Sequence, residues 1–307
     1  MKKVLFSFFA FLFVMIFAGC GTQTAEENNT TDQFVVASTI FPLHSLVEEV
    51  GGEYVESLLI LPPGASPHTY DVTPKQMKEI AKADILFTIG AGVDDWVLDI
   101  VPEGVSIIDM SQYVDLLPFE DHEEELDDHG EENGHHDHGD IDPHYWLSPA
   151  NAEKMAEHIA IELGIRDSER RDVYQDRAFA FQQDIALKEI EWQEAINKLV
   201  QKEVVVFHGA WNYFADYFAV DIVAVFEEFP GKTPTAQDIK ELGEQVDAHQ
   251  VKALFVEPQL SGEAVETIAN DLNVSVGVLD PLGGLDGRES YIDLMEYNVY
   301  QLIHTLQ

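Results

Sequence analysis

The sequence predicts an α/β protein built from two similar lobes with mostly parallel sheets, joined by one long helix. Short apolar runs typical of buried strands alternate with helical segments in both halves of the 307-residue chain. Between the halves, residues 167–201 contain neither Gly nor Pro. Apolar residues make up 46% of the chain, which is enough for a packed core.

The first half contains predicted strands at 34–39, 55–61, 84–90 and 104–109. Its predicted helices are 42–51, 74–82 and 149–163, and each has a Pro in or near its first turn. The segment 167–201, which lacks Gly and Pro, predicts a single helix of roughly 30 residues, about 45 Å long. Strands are then predicted at 203–208, 221–226, 252–256 and 274–279, and helices at 210–218, 235–248, 261–271 and 289–305. The predicted domains are an N-terminal lobe (34–165), a linking helix (166–201) and a C-terminal lobe (202–307).

The N-terminus predicts a secretory signal peptide over residues 1–19. Two Lys residues precede an apolar stretch that is too short for a stable membrane-spanning helix, and small residues precede Cys20. This arrangement resembles the site at which bacterial lipoproteins are cleaved and lipidated on Cys. We therefore expect a lipid anchor on Cys20, followed by a polar tether (20–33), on the extracellular face of the membrane. Cys20 is the only cysteine, so no intrachain disulfide is possible.

The formal net charge of -40 excludes nucleic acid as a partner, because binding to phosphates requires Lys and Arg. Such a charge favours solubility and attracts cations, although adaptation to a salty environment explains it equally well. Residues 120–140 are the most polar segment and contain one apolar residue, Leu126. The histidines in this segment predict an auxiliary loop that gathers metal ions. The alternative is a solvated acidic loop that does not bind metal. These histidines are His122, His129, His135, His136 and His138.

Four side chains suited to metal binding are widely spaced in the chain: His68, His144, His208 and Asp280. Three of them, His68, His208 and Asp280, stand at or shortly after the end of a predicted strand, whereas His144 follows the polar segment 120–140. In α/β proteins ligands bind outside the carboxyl ends of the strands, which predicts that these three lie at a ligand site. Three imidazoles and a carboxylate suit tetrahedral Zn²⁺.

Acidic residues near these positions are candidates for orienting the ligands. Asp142 or a backbone carbonyl is predicted to hold the second ring nitrogen of His144. Glu257 or Glu228 is predicted either to accept a hydrogen bond from a ligand His or to pair with an Arg or Lys. Among the remaining histidines, His44 is predicted to be structural, and His158, His249 and His304 to be solvated.

Five segments, in this order, resemble the zinc-type solute-binding lipoproteins of bacterial zinc and manganese ABC importers, the group that includes ZnuA and AdcA. They are PHTYDVTP (67–74), DPHYWLSP (142–149), FHGAWNYF (207–214), FVEPQ (255–259) and LDPLG (279–283). The resemblance implies two α/β lobes joined by a rigid helix, with the metal between them on His68, His144, His208 and Asp280. Zinc members of the group place His at the third position, as here, whereas manganese members often place Glu there. The fourth ligand in zinc members is a carboxylate or water.

The resemblance implies a monomeric, non-enzymatic receptor that passes Zn²⁺ to a membrane permease driven by a cytoplasmic ATPase. Three alternatives stay open. The first is a receptor for Mn²⁺ or a broader range of divalent cations. The second is a secreted zinc hydrolase, which would need an open coordination position and a general base such as Glu257. The third is an adhesin-like surface protein with a purely structural metal, which would unfold when the metal is removed.

Overall fold

The computed structural model describes residues 34–119, 141–227, 236–259 and 268–307. The strands are β1 Phe34–Ser38, β2 Val55–Leu59, β3 Ile85–Thr88, β4 Ser106–Asp109, β5 Glu203–His208, β6 Asp221–Glu227, β7 Ala253–Val256 and β8 Ser275–Val278. The helices are α1 Phe41–Gly51, α2 Pro74–Ile80, α3 Pro149–Arg166, α4 Arg171–Ile196, α5 Asn212–Phe218, α6 Ala236–His249 and α7 Tyr291–Leu306, and residues 268–272 are also helical. No helix in these ranges is long and apolar enough to cross a membrane.

Two four-stranded sheets carry the fold, in the orders β2-β1-β3-β4 and β6-β5-β7-β8. Every pairing in both sheets is parallel, which confirms the predicted fold class. The two orders are equivalent, so the lobes are similar in topology. In each sheet the chain order reverses beside the first strand, and this is where an α/β protein forms a crevice at the carboxyl ends of its strands.

The linking helix α4 is shorter than predicted, with 26 residues and a length of about 39 Å. It begins at Arg171 because residues 167–170 form a turn rather than helix. The Asp167 carboxylate stabilises this turn by accepting hydrogen bonds from Arg170 (2.6 Å) and from the Tyr174 hydroxyl (3.0 Å). The helix ends at Ile196. The turn at Asp167 therefore separates helix α3 from helix α4.

Helix α4 contributes one apolar stripe to the core. Its buried residues are spaced by three, four or seven positions, as expected for a helix that packs along one face; they are Tyr174, Ala178, Phe181, Ile185, Trp192 and Ile196. They belong to a continuous core that includes Val36 of the first sheet and Val206 of the second. Two smaller apolar clusters cover the opposite faces of the two sheets. The lobes therefore share one core along this helix.

Direct hydrogen bonds also join the lobes. The indole Nε1 of Trp146 donates to the carbonyl of Pro281 (2.7 Å), and the Tyr291 hydroxyl donates to the carbonyl of Trp146 (2.7 Å). The Tyr213 hydroxyl donates to the carbonyl of Asp142 (2.9 Å). Residues 142–146 of the first lobe are thus held against the second lobe by buried hydrogen bonds.

Candidate metal centre

Three predicted ligand residues are presented by short, constrained segments. His68 lies in the 3₁₀ turn Pro67–Thr69 after β2, and Pro67 fixes the first φ of that turn. His144 immediately precedes the 3₁₀ turn Tyr145–Leu147. His208 is the last residue of β5, a strand buried from Val204 onward. Each imidazole is therefore attached to backbone with little freedom to move.

The three imidazoles come together. The Nε2 atoms of His68 and His144 are 3.3 Å apart. The ring centroids are separated by 5.4 Å for His68 and His144, and by 5.1 Å from each of these to His208. One nitrogen from each ring lies within 4.8 Å of the other two, and within the described residues this is the only group of three or more His, Cys, Asp or Glu with that geometry.

Buried carboxylates orient two of the rings. The Nδ1 atom of His144 donates to Asp142 Oδ1 at 2.7 Å, and the backbone N–H of His144 donates to the same oxygen at 2.9 Å. The Nδ1 atom of His208 donates to Glu257, 3.0 and 3.1 Å from its two oxygens. Because an ionised carboxylate only accepts hydrogen bonds, both rings carry their proton on Nδ1 and present a lone pair on Nε2.

The Nε2 atom of His208 is buried and has no hydrogen-bond partner within the described part of the chain. Leaving such a nitrogen unsatisfied is costly, so its position favours a ligand in the adjacent cavity. That cavity has a volume of about 10 Å³, close to what one water molecule needs. Its walls are formed by the three histidines together with Ser66, Pro67, Trp146, Glu257, Gln259, Pro281 and Leu282.

Asp280, the predicted fourth ligand, lies outside the group of three histidines. Its carboxylate is fully buried and pairs with Arg288, with Oδ2 2.8 Å from the guanidinium. The other oxygen, Oδ1, accepts from the backbone N–H of Leu282 at 3.0 Å and from Gln259 Nε2 at 3.4 Å. As a metal ligand Asp280 stays a prediction, and in this structure Arg288 holds its charge.

Other predicted residues fall in different places. Cys20, Glu228 and the loop histidines His122, His129, His135, His136 and His138 lie outside the described residues. His249 and His304 are exposed, as predicted. His158 was predicted to be solvated but is partly buried, because its ring stacks on Tyr113. His44 is also partly buried beside Glu48, and burial lowers its pKa.

Sequence reasoning did not find Arg288 or Gln259 as neighbours of the site. The available signal for Arg288 was its position as a single basic residue shortly after Asp280, in an otherwise acidic segment. The pairing nevertheless depends on the path of the Gly-containing loop 283–288, which the sequence does not specify.

Comparison with known proteins identifies the family. Residues 35–305 match the family model described as "Zinc-uptake complex component A periplasmic". The chain is 29% identical to the manganese-binding lipoprotein MntA of Halalkalibacterium halodurans over 97% of both chains. It is 28% identical to the zinc-binding lipoprotein AdcA of Streptococcus pneumoniae, over 99% of this chain and 61% of that protein.

A crystal structure of ZnuA superposes with a TM-score of 0.78 at 26% identity, covering 90% of this chain and all of the other. The family match extends over almost the whole described chain and includes both lobes. The relatives carry both zinc and manganese names, so the comparison defines the class of cargo and not the individual metal. This chain belongs to the ZnuA family of metal-binding receptors that serve ABC importers, and it is not an enzyme.

Proposed function

We propose that this protein is a high-affinity receptor that binds Zn²⁺ outside the cell and delivers it to the permease of an ABC importer. The observation that carries the proposal is the convergence of His68, His144 and His208, with Nε2 presented by the two rings that carboxylates orient. Zn–N bonds of 2.0–2.1 Å in a tetrahedral site require nitrogens about 3.3–3.4 Å apart. The 3.3 Å between His68 and His144 fits that spacing before any metal is added.

Zinc is favoured over manganese by the donor atoms. Imidazole nitrogen suits Zn²⁺, whereas Mn²⁺ prefers carboxylate, carbonyl and water oxygens. The three converging donors are all nitrogens, and the nearby carboxylates of Asp142 and Glu257 are engaged with the far side of the rings. The fourth ligand is Asp280 or water.

A manganese receptor is the second candidate, and the 29% identity to a manganese-binding lipoprotein favours it. Competition between Zn²⁺ and Mn²⁺ at equal free concentration, measured on the metal-free mature chain, separates the two. We expect one tightly bound Zn²⁺ per chain and displacement of Mn²⁺ by Zn²⁺.

The matched variants are a His68→Ala/His208→Ala double mutant and a His249→Ala/His304→Ala double mutant. Both remove two imidazoles, but only the first pair faces the cavity, whereas the second pair is exposed on α6 and α7. Tight binding is expected to disappear in the first and persist in the second. Tight zinc binding that survives loss of His68 and His208 would overturn the proposed site.

Two further parts of the proposal concern segments outside the described residues. A lipid on Cys20 would keep the receptor at the membrane beside its permease, and Cys20→Ala should release the protein into the medium.

The loop 120–140, with His122, His129, His135, His136 and His138, would gather Zn²⁺ weakly and pass it to His144. Its deletion should slow uptake only when zinc is scarce, with the tight site intact; unchanged uptake at limiting zinc would contradict this role.

The receptor is proposed to act as a monomer. Light scattering of the mature chain with and without Zn²⁺ should give the mass of one chain in both states. A zinc-dependent dimer would contradict this part of the proposal.

A further inference from the structure

The carboxylate of Asp280 is committed to a buried ion pair with Arg288. The Asp280 side chain is 0% exposed and that of Arg288 is 13% exposed, with 2.8 Å between Oδ2 and the guanidinium. Oδ1 is held by the backbone N–H of Leu282. Moving this carboxylate toward the histidines would break the ion pair and leave a positive charge largely buried, which is strongly unfavourable.

Arg288 is itself anchored on several sides. Its guanidinium lies over the ring of Tyr297, 4.4 Å from the centroid, in a cation–π contact. Its backbone carbonyl accepts from the N–H of Gly284 (2.9 Å), and its own N–H donates to the carbonyl of Leu285 (2.8 Å). The guanidinium is therefore a fixed partner for Asp280 and not a mobile surface charge.

We propose that Arg288 is a specificity-determining residue: it withholds the Asp280 oxygen from the metal and so makes the site selective for Zn²⁺ over Mn²⁺. This inference rests on the proposed function, because it assumes that His68, His144 and His208 bind the cargo. Zn²⁺ is well served by three imidazoles and one water. Mn²⁺ needs oxygen ligands, and Asp280 is the acidic residue that the sequence places in the set of ligands.

The cavity offers the polar groups that a water in the fourth position would need. Ser66 and Gln259 both line it. The Oγ atom of Ser66 and the Oε1 atom of Gln259 are buried and have no hydrogen-bond partner in the part of the chain that the structure describes. A metal-bound water has two protons to donate, and these two acceptors would satisfy it while Asp280 stays with Arg288.

The test uses the mature chain with three variants: Arg288→Met, Arg288→Lys, and Arg288→Met combined with Asp280→Asn. Met keeps an unbranched apolar stem over Tyr297 but removes the charge. In Arg288→Met the freed carboxylate should join the site, raising Mn²⁺ affinity at least tenfold and lowering the Zn²⁺ preference. Arg288→Lys should remain close to the wild type, and adding Asp280→Asn should abolish the gain in Mn²⁺ affinity.

The visible absorption spectrum of bound Co²⁺ reports the coordination of the metal and is not changed by a loss of protein stability. Four-coordinate Co²⁺ absorbs visible light more strongly than five- or six-coordinate Co²⁺. We expect the strong spectrum in the wild type and a weaker one, with an added oxygen ligand by X-ray absorption, in Arg288→Met. An unchanged spectrum and unchanged Mn²⁺ affinity in a folded Arg288→Met protein would overturn the inference.

A crystal structure of the Zn²⁺-bound wild type keeps the question decidable if Arg288→Met does not fold. The inference expects Asp280 to stay paired with Arg288 and a water to be the fourth ligand. An Asp280 oxygen bound to the metal while Arg288 is present would overturn the inference. Failure of the proposed function is distinct, because it appears in the wild type as the absence of tight binding that depends on His68 and His208.

Discussion

The two carboxylate oxygens of Glu257 lie 3.0 and 3.1 Å from Nδ1 of His208. Oε1 also accepts a hydrogen bond from Trp211 Nε1 at 3.1 Å. Glu257 is buried just after β7, and His208 ends the neighbouring strand β5. The residue therefore orients one ring of the candidate site through a pairing between the two central strands of the second sheet.

Replacing Glu257 by Gln should weaken Zn²⁺ binding by about 10- to 100-fold, because outer-shell carboxylates fix the tautomer and basicity of the ligand ring. The Gln side chain has nearly the same shape, so the cavity is preserved. Calorimetric titration against a competing chelator measures the change. Glu191→Gln, on the exposed face of α4, is the matched control and should bind as the wild type does. Equal affinities in the two variants would remove Glu257 from the site.

Replacing His208 by Glu should reduce Zn²⁺ affinity further than the Glu257 variant does, since it removes a predicted ligand. It also sets two buried carboxylates beside each other, which destabilises the metal-free protein. Combining His208→Glu with Glu257→Gln relieves that repulsion and supplies an oxygen donor, so the double variant should gain preference for Mn²⁺. Metal competition and the Tm of the metal-free proteins measure both effects. A double variant that still prefers Zn²⁺ as strongly as the wild type would argue against donor type as the basis of selectivity.

Replacing Tyr213 by Phe should lower the free energy of unfolding by about 1–3 kcal/mol, because it leaves buried backbone groups unpaired. The hydroxyl accepts from the N–H of Leu117 (2.7 Å) and donates to the carbonyl of Asp142 (2.9 Å). Urea unfolding at constant pH measures the loss. Tyr300→Phe, at a position 60% exposed, serves as the control and should leave stability unchanged within about 0.5 kcal/mol.

Stability should also depend on the protonation of Asp94. Burial raises the pKa of this carboxyl from 3.8 to about 6, although hydrogen bonds from Thr39 and from the N–H groups of Ile89 and Gly90 act in the opposite direction. The folded state therefore binds more protons than the unfolded chain between pH 4 and 6. Because of this, the free energy of unfolding falls as pH rises through that window. At and above neutral pH, ionisation of the buried Asp94 lowers the free energy of unfolding by about 3 kcal/mol relative to its value at low pH.

Asp94→Asn removes this titration. The free energy of unfolding of the wild type minus that of the variant should decrease between pH 4 and pH 7, in the direction just derived. Urea unfolding of both proteins across that range measures it. A difference that stays constant, or that grows with pH, would mean that Asp94 is already ionised at pH 4 in the folded protein.

Removing metal should leave the receptor folded. The lobes share one apolar core and are joined by buried hydrogen bonds from Trp146, Tyr213 and Tyr291, none of which requires an ion. Chelated protein should unfold cooperatively, and Zn²⁺ at 100 times its Kd should add about 2.7 kcal/mol of stability. Circular dichroism and calorimetry with and without chelator test this. Collapse of the fold on chelation would favour the adhesin-like alternative with a structural metal.

Much of the fold was predictable because its causes are local. Apolar runs such as Val204–Phe207 have the length and composition of buried parallel strands, and the Pro residues at 42, 74 and 149 lie at helix starts. Helix α4 was mislocated at its N-terminal end because Asp167 forms side-chain hydrogen bonds with Arg170 and Tyr174. Such a turn competes with helix without requiring Gly or Pro.

By itself, the sequence determined that His68 and His208 would follow strands of parallel sheets, and the resemblance to the zinc receptors added His144 to them. A parallel sheet brings the carboxyl ends of its strands to one edge, and the pattern of alternating strands and helices implies such sheets. Only the tertiary structure decided the partners of the remaining charges: Glu257 with His208, Asp142 with His144, and Asp280 with Arg288. A buried charge takes the partner that the packing of several segments brings within about 3 Å, and that distance depends on loop paths such as 283–288, which no local pattern encodes.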